Sequence, residues 1–354
     1  MRIGIVTPAF NAGSWIGDTI RSVLAQSHPD WALLVVDDGS TDATAEIVAG
    51  FSDSRIRLIR QANAGVSAAR NRGIAEFVDT DPSPPPPPAR GGGELNLFPL
   101  PLREGVGGRG DALLFLDADD WLAPDALSRL AGALDTSPGA VAAAGGYACV
   151  ESGRKRRPPS GDILERLLVR NLFANGGHLL LRRAAVLAAG GFLPGLVYGE
   201  DWEYWIRISL QGPFVAVRGA DPVLFVRQNP DGAYQRLACD PSAFVPCMAA
   251  IFGNPALLAC TGPRRLVAIR RRTDAENHWI IGRELIRHGR PAEGRAWLHR
   301  SVRANPTLRR IALLIAATLL PLLPHAVLGP FRPYCLPRPT CRVPSRVPHP
   351  VLDC

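Results

Sequence analysis

Short apolar runs punctuate the first part of the chain, and each stops at a group of polar or small residues. Residues 3–7 run into Thr7-Pro8-Ala9-Phe10-Asn11, and Trp31 to Val36 stops at Asp37-Asp38-Gly39-Ser40-Thr41-Asp42. Arg55 to Ile59 alternates polar and apolar, as a strand with one wet face does, and Leu113 to Leu116 is a further strand. Helical spacing fills the intervals. Ile16, Ile20, Val23 and Leu24 share one face behind Ser14 as N-cap, Ile47 and Val48 lie on a second helix, and Gly65 to Glu76 forms a third. Strands alternating with helices predict an α/β fold with a wound, mostly parallel sheet flanked by helices. Residues 264–304 read as two helices around His288-Gly289-Arg290-Pro291, so a helical C-terminal region follows.

Two segments break the pattern. Residues 80–110 hold an unbroken proline run from Pro84 to Pro88 and then Gly91-Gly92-Gly93, a composition that cannot build a core. They sit between a helix and its strand, where a few residues normally suffice, and are expected to form an outward surface loop. Ile311 to Leu328 is almost wholly apolar, but Pro321 and Pro324 interrupt it short of the roughly 20 residues that span a bilayer. A packed or interfacial helix is the expectation, and Arg303, Arg309 and Arg310 suit it to an anionic membrane surface. The chain is thus divided into 1–230, a helical accessory region over 231–328, and a tail over 329–354 whose scattered Pro and Arg predict disorder.

Composition narrows the partners. The 354 residues carry 40 Lys+Arg against 32 Asp+Glu, a formal net charge of +8. That balance favours nucleotide diphosphates, acidic lipids or nucleic acid, and the absence of any nucleic-acid recognition module argues against the last. The clusters at Arg154 to Arg157 and Arg270 to Arg272 read first as solvated faces and second as contacts for anionic membrane lipid. Seven cysteines with no CxxC pair point to neither a zinc module nor a disulfide framework. With free thiols and no signal-peptide pattern at Met1, the expected location is cytoplasmic, with a peripheral position at the inner face of the membrane as the alternative.

The chemistry concentrates where apolar runs end. Ala112 to Leu116 finishes in Asp117-Ala118-Asp119-Asp120, and ionised carboxylates are not buried unpaired. In open α/β sheets ligands bind beyond the carboxyl ends of the strands, where an Asp-x-Asp suits a hard divalent cation that also holds a diphosphate. Asp120 reads instead as a cap for the helix opening near Pro124. Asp37 and Asp38 either accept hydrogen bonds from a base or ribose or cap the following helix. Gly65 to Gly73 carries Arg70 and Arg72, whose forked donors fit phosphate or a base edge. In Gly199-Glu200-Asp201-Trp202, Asp201 opens a helix and serves either as its cap or as a general base for an acceptor hydroxyl.

In this order, Val6 to Asn11, Val35 to Asp42, Gly65 to Gly73, Phe115 to Asp120, and Gly199 to Trp202 resemble the family 2 glycosyltransferases, which adopt the GT-A fold. Leu181-Arg182-Arg183 followed by Gly190-Gly191-Phe192 also fits, and the resemblance covers roughly residues 1–230. It implies that Pro8, Ala9 and Asn11 line a nucleotide pocket, with Asp37 or Asp38 at the base and Arg70 near base or phosphates. Asp117 would contact ribose or metal, Asp119 would be the main ligand of Mg²⁺ or Mn²⁺, and Asp201 the base beside Glu200. The implied reaction is inverting transfer of a sugar from a nucleotide-sugar donor, UDP-linked, to a glycan or lipid-linked acceptor, in cell-surface polysaccharide or glycoconjugate synthesis. Two departures stand out: the 80–110 insertion, and the lack of the Gln-x-x-Arg-Trp motif of processive members, which favours single transfer. The alternative is a catalytically weak relative of the same fold acting at a membrane surface or in assembly.

Overall fold

A computed structural model describes residues 1–78, 111–227 and 237–319. The proline-rich insertion, the later part of the apolar run after Leu319 and the tail over 329–354 lie outside the described residues. The chain divides into two units, the first comprising residues 1–164, 172–196 and 200–228 and the second 165–171, 197–199 and 229–354.

The first unit opens with the expected alternation: β1 (Ile3–Ala9), α1 (Ile16–Leu24), β2 (Trp31–Asp37), α2 (Thr44–Ala49), β3 (Ile56–Arg60), α3 (Val66–Val78) and β4 (Ala112–Phe115). It continues through β5 (Trp121–Leu122), α4 (Ala126–Asp135), β6 (Ala142–Ala144), β7 (Tyr147–Cys149) and β8 (Lys155–Arg156). After α5 (Leu164–Val169), most of which belongs to the second unit, come β9 (Leu179–Arg182), α6 (Arg183–Ala189), α7 (Glu200–Ser209), β10 (Phe214–Ala216) and β11 (Leu224–Val226). The main sheet has the order β10-β6-β9-β4-β1-β2-β3, and a small second sheet has the order β5-β11-β7-β8. All neighbours in the main sheet are parallel except β9, which runs antiparallel to both β4 and β6.

Burial explains the sequence pattern. β1 and β4 are buried along their whole length and β2 almost so, which is why they read as continuous apolar runs. The edge strand β3 is half-buried, with Arg57 and Arg60 exposed. Ile3, Ile5, Ile16, Ile20, Leu33 and Leu114 share one core, and Leu34, Val36 and Ala69 form another with Phe77 and Ile59 against them. Each such aliphatic contributes roughly 1.5–3 kcal/mol by leaving water. α3 lies on β1 through Gly73, where an added Cβ would sit 2.3 Å from Val6 Cγ1. Ser14 does not cap α1: Trp15 occupies the N-cap without a side-chain bond, because a turn on the Ala12 carbonyl already takes the Trp15 and Ile16 amides.

An aromatic cluster fixes α7. Phe192 stacks on Tyr204 at 3.9 Å between centroids and meets Phe115 edge-on at 5.1 Å. Trp202 and Trp205 are buried with them, so Trp202 packs in the core.

The second unit is helical. It contains α8 (Phe244–Phe252), α9 (Pro255–Thr261), α10 (Pro263–Arg287), α11 (Pro291–Ala304) and α12 (Leu308–Leu319). α10 and α11 are the two helices expected around His288 to Pro291, and Gly289 turns between them at φ +78°. Trp279, Ile286, Leu298 and Ala317 make one cluster, and Phe244, Ile281 and Leu285 another. Among the described residues no single helix is long and apolar enough to cross a membrane. Pro241–Phe252 and Pro255–Thr261, bent by 61°, reach that length and apolarity only together.

Candidate active site

The register brings the loops after β1, β2 and β4 to one edge. Ala9 pairs with Asp37 and Val6 with Phe115, so all three strands deliver their following residues to the same side. Hydrogen bonds then lace the first two loops together. Asn11, at φ 49°, accepts from the Thr41 amide at 2.9 Å, and its own amide donates to Ser40 Oγ at 3.0 Å. The Ala12 amide donates to Thr44 Oγ1 at 2.8 Å and the Gly13 amide to Asp42 at 2.9 Å. Pro8 and Ala9 are buried within β1 below this lattice, and Phe10 beside them is exposed.

The two adjacent acids of the β2 loop do different work. Asp37 is fully buried, accepting from the Ser40 amide at 2.9 Å and from Arg60 Nε at 3.1 Å. Asp38 accepts from Gln61 at 2.7 Å and from the Ala64 and Gly65 amides at 3.0 and 2.8 Å. Neither caps α2. Asp38 instead holds the turn that leads into α3.

The Arg70-Asn71-Arg72-Gly73 stretch resolves into separate tasks. Arg70 is buried and ion-paired to Asp117 Oδ1 at 3.0 Å and Glu200 Oε1 at 3.1 Å, with its guanidinium 5.2 Å from the Phe192 ring. It therefore ties the end of β4 to the start of α7, rather than projecting free toward a ligand. Asn71 clamps Phe192 by its backbone, donating to the carbonyl at 2.8 Å and accepting from the amide at 2.6 Å. Arg72 pairs with Glu76 on the surface.

The carboxyls of Asp117, Glu200 and Asp201 thus act on one guanidinium. Burial and the charge of Asp117 push Asp119 up to about 6. Burial and the charges of Asp117 and Asp119 push Asp120 well above the usual carboxylate range. Burial and Glu200 push Asp201 up to about 7, while Arg70 pulls it down. Asp201 sits in the first turn of α7, where the helix end favours its charge.

Asp120 does not cap α4. It is buried, accepting from Asn175 Nδ2 and from the Arg227 amide at 2.8 Å, so it anchors the turn from below. Thr19 of α1 clasps the same turn, donating to the Ala118 and Asp120 carbonyls at 2.8 Å each. Arg227 also packs on Trp15 and Trp121, at 4.1 and 5.0 Å from their rings, and its charge eases the burden on Asp119. Sequence reading missed Asn175, Thr19 and Arg227, which carry no local signal. Asn71 was findable, since it lies inside a motif already singled out.

Asp119 and Asp117 fit a hard divalent cation. They are oxygen donors of like charge at one strand end, and Asp119 is raised by the proximity of Asp117. Among the described residues no group of three His, Cys, Asp or Glu side chains is placed to hold a metal ion.

Residues 4–79 and 108–189 match the family model described as glycosyl transferase family 2. The chain carries a family 2 glycosyltransferase domain. TuaG of Bacillus subtilis, named for teichuronic acid biosynthesis, is 38% identical over 89 residues, which are 22% of this chain and 35% of that protein. WfgD of Escherichia coli, named as a UDP-Glc:alpha-D-GlcNAc-diphosphoundecaprenol beta-1,3-glucosyltransferase, is 44% identical over 87 residues, 22% of this chain and 34% of that protein. The chain thus spans about a third of the length of these curated relatives. Among solved structures, Staphylococcus aureus TarS 1–349 with UDP aligns over 90% of this chain and 87% of its own, at TM-score 0.52 and 16% identity. The mannosyltransferase PcManGT of Pyrobaculum calidifontis, with GDP-Man and Mn²⁺, aligns over 91% and 81%, at TM-score 0.52 and 17% identity. These two likenesses establish the GT-A fold.

Proposed function

We propose that this protein transfers a sugar from a nucleotide-sugar donor to an acceptor hydroxyl with inversion at the anomeric carbon. The observation that carries the reading is the convergence of Asp117, Glu200 and Asp201 around buried Arg70 at the carboxyl edge of the sheet, with Asp119 beside them. In this reading the laced loops over 10–13 and 38–44 seat the nucleoside. Asp119, with Asp117, would hold Mg²⁺ or Mn²⁺. Such an ion supplies charge neutralisation of the departing diphosphate. Support comes from the chemistry of the donor set and from the Mn²⁺ in the PcManGT structure.

Asp201 serves as general base. A carboxyl raised to about 7 is a stronger proton acceptor than an ordinary aspartate and is still ionised for much of the time at neutral pH. It takes the acceptor proton as the new bond forms, and a single base with a stabilised leaving group suffices for single displacement. The Arg70–Glu200 ion pair fixes the start of α7, on which Asp201 sits.

A UDP-linked donor, a lipid-linked acceptor and a role in cell-surface polysaccharide synthesis are supported by the activities for which WfgD and TuaG are named. The test is a panel of nucleotide sugars with Mn²⁺ or Mg²⁺, followed by NMR of the product. Metal-dependent turnover of one donor giving the inverted anomer is expected. Turnover unaffected by EDTA, or a retained anomer, overturns the reading.

A further inference from the structure

The last described helix is apolar on both faces. Its inner face, Leu313, Leu314 and Ala317, packs on Trp279, Ile286 and Leu298. Its outer face presents Leu308, Ile311, Ala312, Ile315 and Leu319, which recur at i, i+3, i+4, i+7 and i+11 and so form a single stripe. Leu308 is 88% exposed, Ile315 54% and Leu319 44%. Scattered exposed apolar residues are ordinary, but an unbroken stripe along a helix is not.

Charge says what covers it. From Arg290 to Leu319 there are Arg290, Arg295, Arg300, Arg303, Arg309 and Arg310 against one acid, Glu293. Arg290 pairs with Glu293 and Arg310 with Glu276; none of the other four pairs with a carboxylate among the described residues. The sequence beyond continues apolar through Leu320, Leu322 and Leu323, then adds Arg332, Arg338, Arg342 and Arg346 with Asp353 as the sole acid.

Two other occupants fit less well. Twelve residues make a helix about 18 Å long, and a stripe about 10 Å wide offers on the order of 200 Å², a quarter of the roughly 800 Å² each partner gives a stable dimer. A second copy would also bring like charge to like charge. A span needs about 20 residues; the described helix has twelve, and Pro321 and Pro324 interrupt the apolar sequence that follows it.

We propose that Leu308–Leu319 is an in-plane docking helix for an anionic lipid bilayer, with its aliphatic stripe seated at the headgroup boundary and the flanking arginines on acidic headgroups. The inference goes beyond glycosyl transfer and does not depend on it.

The test is co-sedimentation of the full chain with vesicles of phosphatidylcholine alone or with phosphatidylglycerol, at low and high salt. The expected result is binding to the anionic vesicles that weakens at least about tenfold on neutral vesicles or at high salt. Ile315→Glu should lower it by a similar factor, while Ile315→Leu retains it. Because Ile315 points away from the packed face, the Glu variant should keep wild-type thermal melting and wild-type nucleotide release with a soluble acceptor. Unchanged binding by the Glu variant overturns the proposal. So does a wild-type dimer in light scattering that the same variant dissolves, which would assign the stripe to a second copy.

Discussion

Replacing Asp119 with Asn should stabilise the metal-free protein while abolishing its activity. Burial and the neighbouring Asp117 raise this carboxyl from 3.8 to about 6. The folded state therefore holds the Asp119 proton up to higher pH than the unfolded chain does. Between the two values, rising pH erodes stability, and above both the loss is complete. At 1.36 kcal/mol per tenfold change in proton affinity, the charge costs roughly 3 kcal/mol at pH 8, which partial exposure trims toward 1–3 kcal/mol. At pH 5 the same two values give about half the full cost. Asn keeps the shape and removes the charge, so it should recover this energy, more at pH 8 than at pH 5. The assay is thermal melting in EDTA at both values, where 1 kcal/mol moves the midpoint by about 2–4 °C. Mn²⁺ at a hundred times its dissociation constant should stabilise the wild type by about 2.7 kcal/mol and the variant not at all. A variant destabilised equally at both pH values would refute the reasoning, because that pattern belongs to lost packing.

Other outcomes follow from the same geometry. With Asp201 as base, kcat/KM should fall about tenfold per pH unit below about 7, and Arg70→Met should move that limb upward because the guanidinium now favours the ionised form; a pH–rate profile reads both. Arg70→Ala leaves Asp117 and Glu200 without their shared partner and should cost about 3–5 kcal/mol in urea unfolding, with Arg70→Lys recovering part. Asn71→Ala removes both clamps on Phe192 and should cost roughly 1–3 kcal/mol. In steady-state kinetics it should lower kcat more than it raises the donor KM, since the clamp positions α7 rather than the nucleotide loops.

What the sequence disclosed depended on how far each interaction reaches. β1, β2 and β4 were readable because burial on both faces imposes an unbroken apolar run, while β3, at the sheet edge, mixes half-buried aliphatics with exposed arginines. The antiparallel insertion of β9 between β4 and β6 was not, since a run of three leucines fits either direction. Strands of two or three residues, such as β5 and β8, are too short to show a period. At the site, the acids at strand ends announced themselves through charge following apolar residues. Their partners did not: Asn175 reaches Asp120 across 55 residues, and Arg70 reaches Glu200 across 130. The misplacements have the same origin. Asp120 looked like a cap because the next helix is near in sequence, whereas tertiary contacts had already claimed both its oxygens.

The claim at the centre is that Asp119 and Asp201 serve one transfer reaction in separate roles. The most direct measurement is nucleoside diphosphate release from the preferred donor by the wild type, Asp119→Ala and Asp201→Asn, with donor affinity measured alongside by calorimetry in Mn²⁺. The account predicts that Asp119→Ala loses both turnover and metal-dependent donor binding, while Asp201→Asn binds donor normally and turns over at least about a hundredfold more slowly. Wild-type turnover in Asp201→Asn, or donor binding lost equally in both variants, would contradict it.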